Sequence, residues 1–473
     1  MVSIKVFNTL GRRKEEFQPN NPPLVKMYTC GPTVYDHTHI GHARMYVSFD
    51  GIKRYLQLRG YKVIHVQNIT DIDDKIIKKS IETGRPWNEI VDEYTREYLE
   101  LLEELRVRPH YNPRVTMHIG DIIKFIQRLV EKGYAYESNG SVYFDVDKYE
   151  YYGELSGRLS KDLWGQEEEF VSEKRHPYDF VLWKRRKPME PYWDSPWGPG
   201  RPGWHIECSV MSTRYLGERI DIHGGGEDLV FPHHENEKAQ SEAALGVRPW
   251  VKYWLHTGYL TIGGEKMSKS LKNIIPLKDA LRELTAPILR LWILSVHYRS
   301  RLEYNETIIN QARKLYDRLV SSESIIEKKL LEASKSHYDK DEDVERMKTL
   351  SSIILGFHEA MSDDFNFGEA NKYLWEFTRF VHAELQYSES GALALVAKEF
   401  SDHLNAVYSY RTAGEGGISF ELFKEVVDLL IEVRSELRKN KMYELSDKIR
   451  DKLGSLGITV LDYRNRSEWV LRK

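Results

Sequence analysis

At 473 residues, with 69 Lys and Arg against 72 Asp and Glu, the chain is too long for one compact core and carries no overall basic field. Any nucleic-acid contact must therefore use local patches. Two cysteines argue against a disulfide framework, and no apolar run approaches the roughly 20 residues that a membrane helix needs. The opening Met1-Val2-Ser3-Ile4-Lys5-Val6 lacks the apolar stretch of a secretory signal, so a cytoplasmic protein is expected.

Residues 25–30 read as a short strand, ended by Gly31-Pro32 because proline cannot donate to a ladder. From 43 to 58, Met45, Phe49, Ile52 and Leu56 follow helical spacing. His39-Ile40-Gly41-His42 thus falls where a strand hands over to a helix, and unpaired amides at a helix start favour a phosphate. His39 and His42 share a face of the first turn, and Gly41 leaves the backbone open to a flat group. Alone, such an element reads as two surface histidines at a helix cap. Residues 61–70 complete a strand–helix–strand unit of a parallel sheet, and the polar run 68–74 follows at the carboxyl end where ligands bind.

Helical patterns cover 87–105 and 116–131, and 133–146 read as a hairpin turning at Asn139-Gly140. A hairpin inside an α/β chain marks an inserted subdomain over 115–200, with the Pro/Gly/Trp-rich run 188–203 as its return. Then follow a helix (204–215), a strand (219–223), a loop (Gly224-Gly225-Gly226), a helix from near His233 and a strand (251–262). Beyond Leu277 nearly everything is helical. Charged helices at about 305–336, 343–362, 369–388 and 395–411 suggest an antiparallel bundle. A glycine-rich break at 414–418 opens a last unit of two helices (419–438, 442–454), a strand (457–461) and a tail bearing Trp469.

Lys266-Met267-Ser268-Lys269-Ser270 follows a glycine turn, and its lysines and serines can neutralise and hydrogen-bond a polyphosphate. By itself it is a solvated loop. Two phosphate-seeking elements on one chain change that balance. Cys30 ends the first strand, Cys208 lies in the helix from 204, and Phe231-Pro232-His233-His234-Glu235-Asn236-Glu237 begins another helix. His233 and Glu237, four apart, share a face, with His234 as the competing imidazole. Thiol, imidazole and carboxylate together favour zinc, whereas two inert buried cysteines fit the spacing equally well.

The His-Ile-Gly-His and Lys-Met-Ser-Lys-Ser elements resemble, letter for letter, the signatures of class I aminoacyl-tRNA synthetases. Segments 7–10, 27–36, 68–75, 200–208, 221–226, 231–237, 297–300 and 363–366 further resemble the cysteinyl-tRNA synthetase family. Arg301 stands where that family usually has proline, and residues 464–468 lack an expected Gly-Thr.

The resemblance implies an α/β fold with a Rossmann-like parallel-sheet catalytic domain (1–114 and 201–262) and an inserted α+β acceptor-stem subdomain (115–200). A lysine-loop and stem-contact region (263–304), a helical bundle (305–412) and a small α/β anticodon-binding unit (413–473) would follow. It implies one Zn²⁺ held by Cys30, Cys208, His233 and Glu237, with the substrate thiolate as an added ligand. An apolar pocket separates near-isosteres by only about 10–200-fold, so metal–sulfur recognition would exclude serine without an editing domain.

The resemblance further gives His39, His42, Lys266 and Lys269 the charge of the reacting ATP, accompanied by Mg²⁺. Gly41 would lie under the adenine, Asp228 beside the ribose, and Thr70, Trp204 and His223 around L-cysteine. The implied partner is tRNA(Cys), charged at its terminal 2′-OH, with anticodon contacts from Arg434, Arg438, Lys439, Lys441, Tyr443, Lys448 and Arg450. A monomer is expected. A cysteine ligase acting on an amino-sugar is the nearest rival, and the bundle and last unit argue against it.

Overall fold

The computed structural model describes residues 2–165, 171–267, 273–333, 341–411, 420–462 and 467–471. They fall into two compact units, Met1–Tyr410 and Arg411–Lys473. In the first, β1 (Lys5–Asn8) and β2 (Arg13–Glu16) form a hairpin ahead of β3 (Leu24–Thr29), α1 (Ile40–Leu58) and β4 (Lys62–Gln67). Then come α2 (Asp74–Thr83), α3 (Trp87–Glu104) and α4 (Ile119–Glu131). An antiparallel sheet follows, made of β5 (Ala135–Ser138), β6 (Ser141–Phe144), β7 (Phe180–Arg185) and β8 (Gly200–Pro202). Asn139 and Gly140 both take positive φ in its first turn (50° and 81°), as the hairpin reading requires.

The chain then returns to the first sheet through α5 (Trp204–Leu216), β9 (Ile220–Gly226), α6 (Glu235–Leu245) and β10 (Val251–Thr257). Strand order is β10-β9-β3-β4, parallel throughout. β3 and β9 sit side by side with Tyr28 opposite His223, and the chain crosses outward in opposite directions from that pair. Such a switch point opens a crevice at the carboxyl ends of the two strands. Cys30 follows one of them and Gly226 ends the other.

Three elements of this unit differ from the sequence reading. The glycines 224–226 continue β9 and do not form a loop. A Cβ on Gly224 would stand 2.2 Å from the Phe49 ring, so glycine lets α1 lie directly on the strand. Residues 251–262 divide at Gly258, where a Cβ would meet the carbonyl oxygens of Arg299 and Ser300 at 2.5 Å. The remainder becomes β11 (Leu260–Ile262), paired with β12 (Glu265–Lys266) and β13 (Leu302–Glu303). Between these lies α7 (Leu277–Ile293), and the bundle follows as α8 (Glu306–Ala333), α9 (Asp341–Ser362), α10 (Phe367–Ala383) and α11 (Gly391–Tyr408). α2 had no counterpart in the sequence reading.

The second unit contains α12 (Phe420–Lys439), α13 (Tyr443–Ser455), β14 (Ile458–Asp462) and β15 (Ser467–Leu471). The expected Trp469 tail is therefore a strand, antiparallel to β14, and it helps cover Val427, Ile431, Leu453, Ile458 and Val460. Arg434 is fully buried and bidentate on Asp462 (2.7 and 2.8 Å), so it stabilises this unit and is not a surface contact for RNA.

A buried ion cluster joins α1 to its surroundings. Asp50 is fully buried against Arg290 (2.7 Å), Arg54 (2.6 Å) and Lys53 (3.5 Å). Arg290 also donates to the carbonyls of Leu105 and Tyr408, beyond the ends of α3 and at the end of α11. Burial alone would raise the Asp50 acid, but the three cations outweigh it and hold it at about 2. Its unfolded value is about 3.9, so its contribution is complete above that pH and is lost as pH falls through about 2. Asp50→Ala, which leaves a buried guanidinium unpaired, should cost about 3–5 kcal/mol in a denaturant titration at pH 7. The difference should shrink in acid. An unchanged midpoint would remove this cluster from the stability of the fold.

Candidate active site

The loop from β3 to α1 is shaped by a glycine. A Cβ on Gly31 would stand 1.6 Å from the Asn68 carbonyl oxygen, and the Gly31 amide donates to Asn68 Oδ1 at 2.8 Å. That close passage lets Cys30 and His39 open onto one cavity of about 580 Å³. Gly41, His42, Trp204, Asp228, Lys266 and Met267 also line it.

At one end of the cavity the two histidines cap α1 reciprocally. The His42 amide donates to His39 Nδ1 and the His39 amide to His42 Nδ1, both at 3.3 Å. The rings stack with centroids 3.6 Å apart. Because each Nδ1 accepts, a neutral ring carries its hydrogen on Nε2 and presents a donor. The cap is braced from outside the helix, since the Ile40 amide donates to the Ile275 carbonyl (3.1 Å) and the Leu277 amide to the Thr38 carbonyl (2.8 Å). The stretch after the lysine loop is thereby stitched to the helix start.

The face of Gly41 is covered. A Cβ there would lie 2.7 Å from the Met267 methyl and 3.1 Å from His39 Nδ1. Lys266 places its ammonium 3.6 Å from the centre of the Tyr259 ring. Lys269, with Ser268 and Ser270, lies outside the described residues. Asp228 is exposed at the cavity wall.

At the other end a buried cluster gathers Cys30, Cys208, His233 and Glu237, with one donor atom from each within 4.8 Å of all the others. Glu237 sits 3.0 Å from His233 Nε2 through one oxygen and 2.9 Å from His223 Nε2 through the other. The cysteines are not bonded to each other. A second overlapping quartet, Cys30, His223, His234 and Glu237, meets the same distance limit. There His234 Nε2 lies 3.2 Å from Cys30 Sγ, and its Nδ1 lies 2.8 Å from His256 Nε2.

The electrostatics of the buried cluster favour charge separation. The Cys30 contact holds the Cys208 thiol down at about 6 despite burial. Burial drives the Cys30 thiol up, so the shared hydrogen stays there. Burial opposes charge on His233, but Glu237 and the Cys208 sulfur outweigh it and raise that imidazole to about 10. Burial would raise Glu237, yet His223 and His233 pull it to about 2.

The residues expected around an amino acid divide. Trp204 lines the cavity and packs its ring 4.2 Å from that of His233. Thr70 is buried and donates to Glu207 at 3.2 Å, while fully buried His223 faces Glu237. Sequence reasoning missed the second quartet, and it missed His37 and Lys75, which line the same cavity. A histidine two residues before His39 was the one available signal.

Residues 16–314 match the family model for the class I (C) tRNA synthetase catalytic domain. Among solved structures, methionyl-tRNA synthetase of Mycobacterium tuberculosis with methionyl-adenylate superposes with a TM-score of 0.60 at 17% identity. That superposition covers 81% of this chain and 88% of the other. A LeuRS–tRNA–LeuAMS complex from Agrobacterium radiobacter K84 gives a TM-score of 0.62 at 12% identity, over 84% and 86% of the two chains. The fold is that of a class I aminoacyl-tRNA synthetase.

Curated relatives narrow the class. A cysteine–tRNA ligase from Aeropyrum pernix is 57% identical over 99% of this chain and all of its own length. Those of Staphylothermus marinus (54%, all of both chains) and Saccharolobus solfataricus (52%, 98% of both) are similar to it over the same extent. The chain belongs to the cysteine–tRNA ligase family.

Proposed function

We infer that the chain activates L-cysteine with ATP and transfers it to the 3′-terminal adenosine of tRNA(Cys). One observation carries the reading on a chain of this family: a single cavity runs from Cys30, a member of the two-thiol cluster, to the paired imidazoles of the α1 cap.

The cluster residues fit zinc. Bonds of about 2.0–2.3 Å to four donors put those donors within about 4 Å of one another, close to the spread seen here, and two sulfurs favour a soft ion. We assign Cys30, Cys208, His233 and Glu237 as its ligands, because this quartet uses both thiols and His233 packs on the cavity-lining Trp204. Bound zinc would supply a soft Lewis acid for the substrate thiolate, which serine's far less acidic hydroxyl does not match. Trp204 then walls the amino-acid pocket, while His223 orients Glu237 and Thr70 orients Glu207.

In the first step a carboxylate oxygen of cysteine bonds to the α-phosphorus of ATP, and the bond to the β-phosphate oxygen breaks, releasing pyrophosphate. Charge grows on the phosphate oxygens. His39 and His42 meet it through Nε2–H donors on the cap, and Lys266 and Lys269 meet it from the opposite side; Mg²⁺ brought with ATP would add further positive charge. Asp228 accepts from the ribose hydroxyls, and the adenine lies on Gly41 once Met267 withdraws. The 2′-OH of the tRNA then takes the cysteinyl group from the adenylate, and AMP leaves. Exposed Arg438, Lys439, Lys441, Tyr443, Lys448 and Arg450 supply phosphate and base contacts for the anticodon. The enzyme works as a cytoplasmic monomer, and no described helix is long and apolar enough to cross a membrane.

Cysteine-dependent ATP–pyrophosphate exchange, followed by charging of total tRNA with and without a chelator, tests the activity. Lys269→Ala should depress exchange by about two to three orders of magnitude while zinc stays near one ion per chain. Unchanged exchange would remove that lysine from the mechanism. Cys208→Ser should lose the ion, and cysteine-over-serine preference should fall into the roughly 10–200-fold range of a pocket without metal. Serine activated within tenfold of cysteine by the zinc-loaded parent would contradict the selection mechanism.

A further inference from the structure

His37 lies on the segment between β3 and the α1 cap, two residues before His39, and it lines the same cavity. Its side chain is 40% exposed, yet its ring is held from two directions. Nδ1 lies 2.7 Å from Glu97 Oε2, and the ring stands edge-on to Tyr94, with centroids 5.2 Å apart and planes at 87°. The other oxygen of Glu97 accepts from the Thr38 amide at 3.3 Å, so one carboxylate on α3 clamps two successive residues of the rim. A carboxylate only accepts, so the hydrogen of this contact sits on Nδ1. Nε2 is the nitrogen left to a ligand, and among the described residues nothing bonds to it.

The surroundings say what that ligand is. Lys75 lines the cavity beside this segment, Lys79 lies 3.8 Å from Asp36, and the amino end of α1 adds a positive dipole. The carboxylate that attacks the α-phosphorus comes from the thiol cluster beside Trp204. The departing end of the polyphosphate therefore points away from that cluster, towards the half-exposed rim. An imidazole pinned at Nδ1 by a carboxylate is oriented for this use in the way metal-bound and catalytic histidines are.

We propose that His37 is a third imidazole of the nucleotide site, donating through Nε2 to the β- or γ-phosphate of ATP and to pyrophosphate in the reverse direction. This rests on the ATP-dependent reading above. With Nδ1–H on Glu97 and Nε2–H on a phosphate oxygen, the ring bridges the carboxylate and the polyanion.

Two substitutions separate this role from simple bracing of the loop. The amide of His37→Asn reaches the Nδ1 position and keeps the Glu97 contact, whereas that of His37→Gln reaches the Nε2 position. In exchange assays on the full-length, zinc-loaded chain, His37→Asn should raise KM for ATP and pyrophosphate about tenfold or more, as loss of a charge-assisted bond does. KM for cysteine and inhibition by AMP, which lacks the two outer phosphates, should not move, and His37→Gln should recover most of the loss. Equal loss in both variants, the reverse order, or a weakened AMP constant would overturn the assignment.

A second measurement does not depend on how the variants fold. In the unaltered protein, inorganic tripolyphosphate should shift the Nε2 ¹⁵N resonance of His37, and an unshifted resonance would overturn the proposal. Absence of cysteine-dependent exchange in the unaltered protein would instead defeat the activity reading itself.

Discussion

The site depends on one buried carboxylate shared by two imidazoles. Glu237 spends one oxygen on His233 and the other on His223, and it is fully buried. A charge in that position is tolerable only with partners on both sides. The helix carrying it is unusual, since α6 is buried from Glu235 to Ala244 although its sequence is largely polar. Most of these side chains have a partner, though among the described residues Glu235 Oε1 and Gln240 Oε1 do not. Glu235 accepts from the Ser156 amide (2.8 Å), Asn236 from the Tyr152 hydroxyl (2.5 Å), and Gln240 donates to the His205 carbonyl (2.6 Å). Lys238 reaches Glu154 at 3.0 Å, and Tyr149 donates to Glu242. Residues 149–156, which lie between β6 and β7 inside the antiparallel insertion, are thereby part of the support for the thiol cluster. Motion of residues 149–156 would be felt at Glu237.

The α1-cap end of the cavity is supported differently. Arg44, also fully buried, donates to the carbonyls of Ile293, His297, Tyr298 and Ser300, and burial lowers its guanidinium to about 9. Two turns further on, the Asp50–Arg290 cluster repeats the bracing. α1 is therefore anchored along its length, and its capped end is held still. A fixed cap suits a reaction in which preorganised donors wait for charge to develop.

Much of this was legible in the sequence because the chemistry sits in short local patterns. His39 through His42 needs only one helical turn to become a reciprocal cap, and residues 25–70 announce a parallel unit by alternation of period alone. The two cysteines were ambiguous for a physical reason: Cys30 and Cys208 lie 178 positions apart, and no local rule brings a strand end against a helix that distant. Resemblance supplied the pairing, and packing supplied the distance. Glycines misled most. At Gly224 the residue marks a close approach inside a strand, whereas at Gly258 it marks a true break. Only the facing side chain, Phe49 in the first case and a backbone carbonyl in the second, tells them apart. Arg434 was misread because its partner, Asp462, is on an element that the helix pattern does not reveal.

The central claim is that a soft ion held by both thiols recognises its substrate by sulfur. X-ray absorption at the zinc edge of the loaded protein tests it most directly. The account predicts two sulfur neighbours at rest, three after addition of L-cysteine, and still two after addition of L-serine. A resting site with one sulfur and two imidazoles would instead put the ion in the His223–His234 quartet. A sulfur count unmoved by cysteine would contradict recognition through the metal altogether.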